Sequence, residues 1–113
     1  MITIYHNPRC TKSREALEIL NQKQCDLDIV LYLKDSLSEQ KLENIISLLN
    51  VKADDLVRKK EIEWKDNFKG KEMNQKEIIK ALVKYPKLME RPIVVNGKKA
   101  VIARPPEKVL EII

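Results

Sequence analysis

Apolar positions recur in two rhythms along the 113-residue chain, and the points where one gives way to the other predict its elements. Residues 2–5, Ile-Thr-Ile-Tyr, alternate and are β-branched or aromatic, which predicts a short strand. Asn7-Pro8 marks a turn. From Thr11 onward Ala16, Leu17 and Leu20 fall at helical spacing, so a helix is expected from just after Cys10 to about Lys23. A second strand is expected over 28–33. The opening of the chain is then strand, loop, helix, strand: a βαβ unit whose loop lies at the carboxyl end of the first strand.

The middle of the chain changes to helical rhythm. Ser38 is a good N-cap, and Leu42, Ile45, Ile46 and Leu49 follow it at i, i+3, i+4 and i+7. Residues 53–60 suggest another short, more charged helix. Trp64 to Lys71 contains a glycine and little periodicity, which suggests a loop with Trp64 or Phe68 tucked under it. Asn74 and Glu77 form a capping-box start for a helix carrying Ile78, Ile79, Leu82 and Val83, which Tyr85-Pro86 should stop. The stretch 36–86 therefore reads as a helical insertion between strands. Beyond it, Ile93-Val94-Val95, Asn96-Gly97 and Ala100-Val101-Ile102 predict a β-hairpin, with Asn-Gly supplying the positive φ angles of a type I′ turn. Pro105-Pro106 should introduce a last helix with Val109, Leu110 and Ile113 on one face.

Length narrows the architecture to one α/β domain over 1–113, since two independent domains would each be too small to hold a core. Hydrophobic residues make up 43% and charged residues 35%, the balance of a globular protein. No apolar run approaches the roughly 20 residues needed to span a bilayer, and the N-terminus lacks a signal-peptide pattern, so a cytoplasmic location is expected. The net charge of +5 raises the question of nucleic acid. The lysines, however, are scattered among acidic residues and aromatic residues are scarce, so no nucleic-acid partner is expected and a small anion fits the charge at least as well. Two cysteines and one histidine give no four-ligand zinc site, and no metal is expected.

The chemistry that stands out is at Cys10. A cysteine where a strand-to-helix loop ends faces unpaired backbone N–H groups and the positive end of the helix dipole, which favour thiolate. Arg9, Lys12 and Arg14 add positive charge, and such surroundings lower a thiol pKa below its free value of about 8.5. Ser13 can lie on the same helical face and donate its hydroxyl to the sulfur. A free cysteine is more often a small core residue, but these basic, turn-forming neighbours point to a reactive one. Cys25 has no helix start and no cluster of cations around it, and is expected to be structural. His6 is close enough in sequence to tune the thiolate or pass a proton, and equally able simply to hydrogen-bond the loop backbone. A phosphatase cradle is excluded, because Cys-x5-Arg would need arginine where Ala16 stands.

The segment Tyr5-His6-Asn7-Pro8-Arg9-Cys10-Thr11-Lys12-Ser13-Arg14 resembles the active-site segment of the glutaredoxin-linked arsenate reductase family (ArsC-like), which also contains the Spx-type transcription regulators. The match continues through Leu31-Tyr32-Leu33, Leu56-Val57-Arg58-Lys59-Lys60, Leu88-Met89-Glu90-Arg91-Pro92-Ile93-Val94-Val95 and Arg104-Pro105-Pro106-Glu107, in the family's order and spacing. The resemblance implies a thioredoxin-like fold: a mixed four-stranded sheet with a helical insertion between the second and third strands. It further implies that Pro92 is a cis proline facing the nucleophile loop, and that Arg58, Arg91 and Arg104 bind the oxyanion.

The activity so implied is reduction of arsenate, or another small oxyanion, through the Cys10 thiolate. Glutathione would be the co-substrate, glutaredoxin the protein partner, no cofactor would be bound, and the chain would act as a monomer. Two alternatives remain. The basic loop with Arg9 and Thr11-Lys12 could instead favour anionic thiols and general glutathione-linked reduction. An Spx-like, non-enzymatic regulator that binds RNA polymerase would typically carry Cys-x-x-Cys and extend further; here Ser13 holds the second position and the sequence given ends at Ile113.

Overall fold

The computed structural model describes residues 1–113, which form two compact units: Met1–Asp35 together with Arg91–Ile113, and Ser36–Glu90. The first unit is built on β1 (Ile2–Tyr5), α1 (Thr11–Gln22), β2 (Leu27–Val30), β3 (Ile93–Asn96) and β4 (Lys99–Ile102). Its strands are ordered β2-β1-β3-β4, with β1 parallel to β2 and antiparallel to β3, and β3 antiparallel to β4. This is the mixed four-stranded sheet expected, and it follows from connection length. A helix must cross over to return a parallel strand, whereas Gly97-Lys98 suffices to reverse direction.

Alternation along β1 sends Ile2 and Ile4 into one core with Ala16 and Leu20 of α1, Val94 of β3, Ala103, Val109 and Ile112. The spacing of Ala16 and Leu20 puts both on the buried stripe of α1, leaving its charged residues in solvent. Register then sets the position of the loops. Tyr5 pairs with Ile93, and Ile93 with Ile102, so the residues just past β1, just before β3 and just past β4 all emerge at one edge of the sheet. A hydrogen bond from the Ala103 N–H to the Pro92 carbonyl (2.8 Å) ties two of those loops together.

The second unit contains α2 (Glu39–Leu49), α3 (Ile62–Asn67) and α4 (Gln75–Lys84). Ser38 caps α2 by accepting from the Lys41 N–H (3.0 Å), and Leu42, Ile45 and Ile46 are buried. The capping box at α4 is closed on both sides: Asn74 Oδ1 accepts from the Glu77 N–H (2.8 Å) and Glu77 Oε1 from the Asn74 N–H (3.1 Å). Ile78, Ile79, Ala81 and Leu82 form its buried stripe, part of which packs on α2. Val57 and Met89 form an isolated antiparallel bridge, flanked by bonds from Arg58 N–H to Leu88 O and from Glu90 N–H to Leu56 O, both 2.7 Å.

Several local expectations are corrected. β2 stops at Val30 and not at Leu33, because β1 offers only four residues to pair with and Leu31 O instead accepts turn bonds from the N–H groups of Lys34 and Asp35. The helix expected over 53–60 is a single 3₁₀ turn, Ala53–Leu56. Trp64 does not lie in a loop. It is the one buried residue of α3, too few turns for a periodic pattern to show.

The hairpin turn centres on Gly97 and Lys98, since Asn96 pairs with Lys99; only Gly97 has positive φ (62°), the pattern of a type II′ turn and not type I′. The last element, Pro106–Glu111, is 3₁₀, so Val109 and Ile112 are buried three residues apart while Leu110 and Ile113 are exposed. No helix is long and apolar enough to cross a membrane.

The closed box at α4 yields a prediction. Asn74→Ala should cost about 1 kcal/mol, lowering the urea midpoint without changing the slope. An unchanged midpoint would mean that the cap contributes nothing.

Candidate active site

Cys10 is the N-cap residue of α1, in extended conformation (φ −92°, ψ 122°). Its own N–H donates to Asn7 O (3.0 Å), which folds the loop back, and its carbonyl accepts from the Arg14 N–H (3.0 Å), which starts the helix. The side chain is partly exposed. Burial would push the thiol up, but the backbone N–H of Ser13, the hydrogen bonding and positive charge of Arg91, and the backbone N–H of Lys12 together outweigh it. The net effect holds the thiol below its ordinary value. No full cap hydrogen bond closes on the neutral side chain, so these groups act by favouring the ion.

This differs from the sequence expectation in two ways. The cation acting on the sulfur is Arg91, from the far end of the chain, while Lys12 pairs with Glu15 (3.7 Å) on the exposed face of α1. Arg14 instead ties the loop, donating to Pro8 O (3.0 Å) and Thr11 Oγ1 (3.3 Å). Further, it is the backbone N–H of Ser13, and not its hydroxyl, that assists the thiolate. The hydroxyl is fully buried and taken elsewhere: its Oγ accepts from the Asn7 N–H (3.0 Å) and lies 2.6 Å from His6 Nδ1.

His6 is itself buried, and burial followed by the charge of Arg14 holds it below its ordinary value. With its proton on Nε2, the ring would accept the Ser13 hydroxyl proton at Nδ1, leaving the serine oxygen to accept from the Asn7 N–H. His6 thus bonds a neighbouring side chain, neither the loop backbone nor the sulfur. Asn7, which the sequence suggested only as a turn residue, is a hub of the loop. Besides the two bonds above, its Oδ1 accepts from the Arg9 N–H (3.0 Å), an Asx turn whose signal was the Asn-Pro pair.

Arg91 and Arg104 share the sheet edge at which the Cys10 loop emerges. The Arg91–Pro92 peptide is cis, as the resemblance implied, and Arg104–Pro105 is cis as well. Arg104 Nη1 donates to Arg91 O (3.0 Å). Arg91 Nε is buried with no hydrogen-bond partner in the protein, a donor of the kind that an oxygen-rich ligand would satisfy. Arg58 belongs to the second unit, where Nη1 pairs with Glu61 (2.9 Å) and Nε lies 3.8 Å from Glu90. Cys25 packs against the core of the first unit. No group of three or more His, Cys, Asp or Glu side chains is placed to hold a metal ion.

A model of the ArsC family matches residues 5–112, from the end of β1 nearly to the last residue. The chain belongs to the ArsC family. It is similar to the arsenate reductase of Haemophilus influenzae, with 43% identity over 99% of this chain and 98% of that one. It is also similar to the uncharacterized protein YfgD of Escherichia coli K12, with 44% identity over 99% of this chain and 96% of that one. Among solved structures, the arsenate reductase from Vibrio cholerae superposes with a TM-score of 0.94 at 37% identity, covering 99% of this chain and 97% of that one. As an ArsC-family protein it has the fold that its residues implied.

Two titrations follow. In a Cys25→Ser background, iodoacetamide should react with a rate that rises to a plateau whose midpoint lies below about 8.5, and Arg91→Ala should move that midpoint upward. A midpoint at or above the free-thiol value refutes the placement. His6 is the opposite case, a base that resists protonation when folded. The unfolded chain therefore takes up its proton first, and stability should fall as pH drops below about 6.5, before the carboxylates titrate. Urea midpoints measured across that range should lose this slope in His6→Gln.

Proposed function

We propose that this ArsC-family protein is an arsenate reductase in which Cys10 is the nucleophile. The observation that carries the proposal is the thiol at the start of α1, held below its ordinary value by the Ser13 and Lys12 backbone and by Arg91, whose own Nε is left with a donor to give. A planar guanidinium with free donors matches a tetrahedral oxyanion, both in charge and in hydrogen-bonding geometry. Arg91 holds the arsenate oxygens and reduces the repulsion between two anions. Arg104, tied to the Arg91 carbonyl, assists at the same sheet edge. On the sequence resemblance alone, Arg58 is proposed as a third oxyanion ligand.

In the first step the Cys10 thiolate attacks arsenic, forming an S–As bond as a hydroxyl group leaves with a proton as water. Glutathione supplies the electrons. Its thiolate attacks Cys10 Sγ, forming a disulfide, and the electron pair of the broken S–As bond stays on arsenic, which passes from the pentavalent to the trivalent state and departs as arsenite. A thiol of glutaredoxin then attacks the glutathione sulfur and returns Cys10 as thiolate. Two thiols are oxidised for each arsenic reduced, no bound cofactor takes part, and no second cysteine of this chain is consumed. Cys25 remains part of the core.

Purified protein supplied with arsenate, glutathione and glutaredoxin should produce arsenite, measured as loss of NADPH through glutathione reductase. Cys10→Ser should abolish turnover and Cys25→Ser should retain it. Arg91→Ala and Arg104→Ala should each lower kcat/KM roughly 10- to 150-fold, the worth of a charge-assisted hydrogen bond of about 1.5–3 kcal/mol. Turnover surviving in Cys10→Ser would refute the assignment. Reduction of glutathione mixed disulfides without any reduction of arsenate would keep the thiol and discard the substrate.

A further inference from the structure

The second unit carries a cleft that the redox chemistry does not use. It is an open hollow of about 390 Å³, lined by α4, the end of α3 and the segment joining them. Its floor is apolar: Phe68, Met73 and Tyr85 are all half-buried there, and Phe68 meets both Trp64 (5.4 Å between ring centroids) and Tyr85 (5.8 Å, edge to face). Its rim is basic. Lys80 and Lys84 stand one turn apart on α4, with Lys71 coming from the joining segment.

None of these three lysines has a carboxylate partner, whereas Lys59 in the same unit pairs with Asp54 at 2.9 Å. The one acid in the lining, Glu77, has its carboxylate committed to the cap of α4. Lys84 Nζ lies 5.5 Å over the Tyr85 ring, so charge and aromatic surface meet at the mouth of the cleft. Three unpaired cations around aromatic surface complement a ligand that is acidic outside and apolar at its centre.

We propose that this cleft is a docking site for a short acidic segment of another protein, anchored by one apolar side chain. Its openness favours a peptide over a small molecule, which a dedicated pocket would enclose over most of its surface. Spacing agrees. Carboxylates two residues apart in an extended segment stand about 6.8 Å from one another, close to the rise of about 6 Å between Lys80 and Lys84. The apolar anchor fills the hollow over Phe68 and Tyr85, while the flanking carboxylates pair with the rim.

The test uses the full-length protein and the fluorescence of Trp64, its single tryptophan, which touches the floor through Phe68. The probe is an acetylated, amidated peptide of sequence Glu-Asp-Leu-Asp-Glu. It should give a saturable change with Kd below about 1 mM, weakening several-fold as salt is raised to about 0.3 M. Replacing its leucine by alanine should weaken binding about tenfold, and the Lys80→Glu/Lys84→Glu double variant, whose melting curve serves as the folding control, should not bind. The proposal is overturned by an absence of saturable change up to about 5 mM peptide. Equal binding of the alanine peptide, or unchanged binding by the folded double variant, overturns it too. Tighter binding of phenylacetate than of the peptide overturns the choice of occupant. Arsenate turnover is not part of any of these readouts, so the outcome is independent of the proposed activity.

Discussion

Taking a thiol out of water works against ionising it, and everything at Cys10 depends on reversing that penalty. Burial is the largest single influence on the group, and no one neighbour cancels it. Two backbone N–H groups of α1 and one guanidinium do so jointly, which requires the start of a helix and a distant arginine to be held at the same point. The sheet achieves this by register. With Tyr5 opposite Ile93, the loop that leaves β1 and the residues that enter β3 have to emerge side by side. A slip of one residue would send Ile2 and Ile4 to the wrong face, so the hydrophobic core that fixes the register also fixes the thiolate.

Local chemistry was legible wherever a few adjacent residues determine the outcome. The limits of β1, the caps of α2 and α4 and the placement of Cys10 at a helix start all depend on short stretches with strong preferences. Legibility failed where the partner decides. Leu31 to Leu33 carry an apolar, strand-like pattern, but a strand ends where its neighbour ends. The hairpin was clear from its apolar flanks, while its turn type hinged on a pairing of Asn96 with Lys99 that no local pattern encodes. The same division holds at the site. The helix start could be read from residues 7–16, but nothing near Cys10 announces Arg91, which came only through resemblance to a family.

The arginines show why composition says so little about a site. Arg14, next to Cys10 in sequence, is spent on the Pro8 carbonyl and Thr11 and holds the loop. Arg58 is engaged by Glu61 and Glu90. Arg91, with ordinary acidic and apolar neighbours in sequence, has a buried Nε with no hydrogen-bond partner in the protein. A net charge of +5 is compatible with every one of these fates. What separates them is which carbonyl or carboxylate the backbone sets within reach.

Ser13 settles how many sulfurs a local disulfide could draw on. It occupies the place in Cys-x-x-Ser where a dithiol enzyme carries its second cysteine, and its environment is built for oxygen. The hydroxyl is fully buried, lies 2.6 Å from His6 Nδ1 and accepts from the Asn7 N–H at 3.0 Å. Sulfur is larger, donates weakly, and would leave the buried N–H of Asn7 and the ring nitrogen of His6 poorly satisfied, at a cost of about 1–3 kcal/mol for each unmet group. Those bonds also hold the backbone of Asn7 and the first turn of α1, and with them the N–H of Ser13 that favours the thiolate. A second thiol at this position would therefore loosen the arrangement that favours the Cys10 thiolate. The packing around position 13 is thus suited to a serine hydroxyl and not to a second thiol.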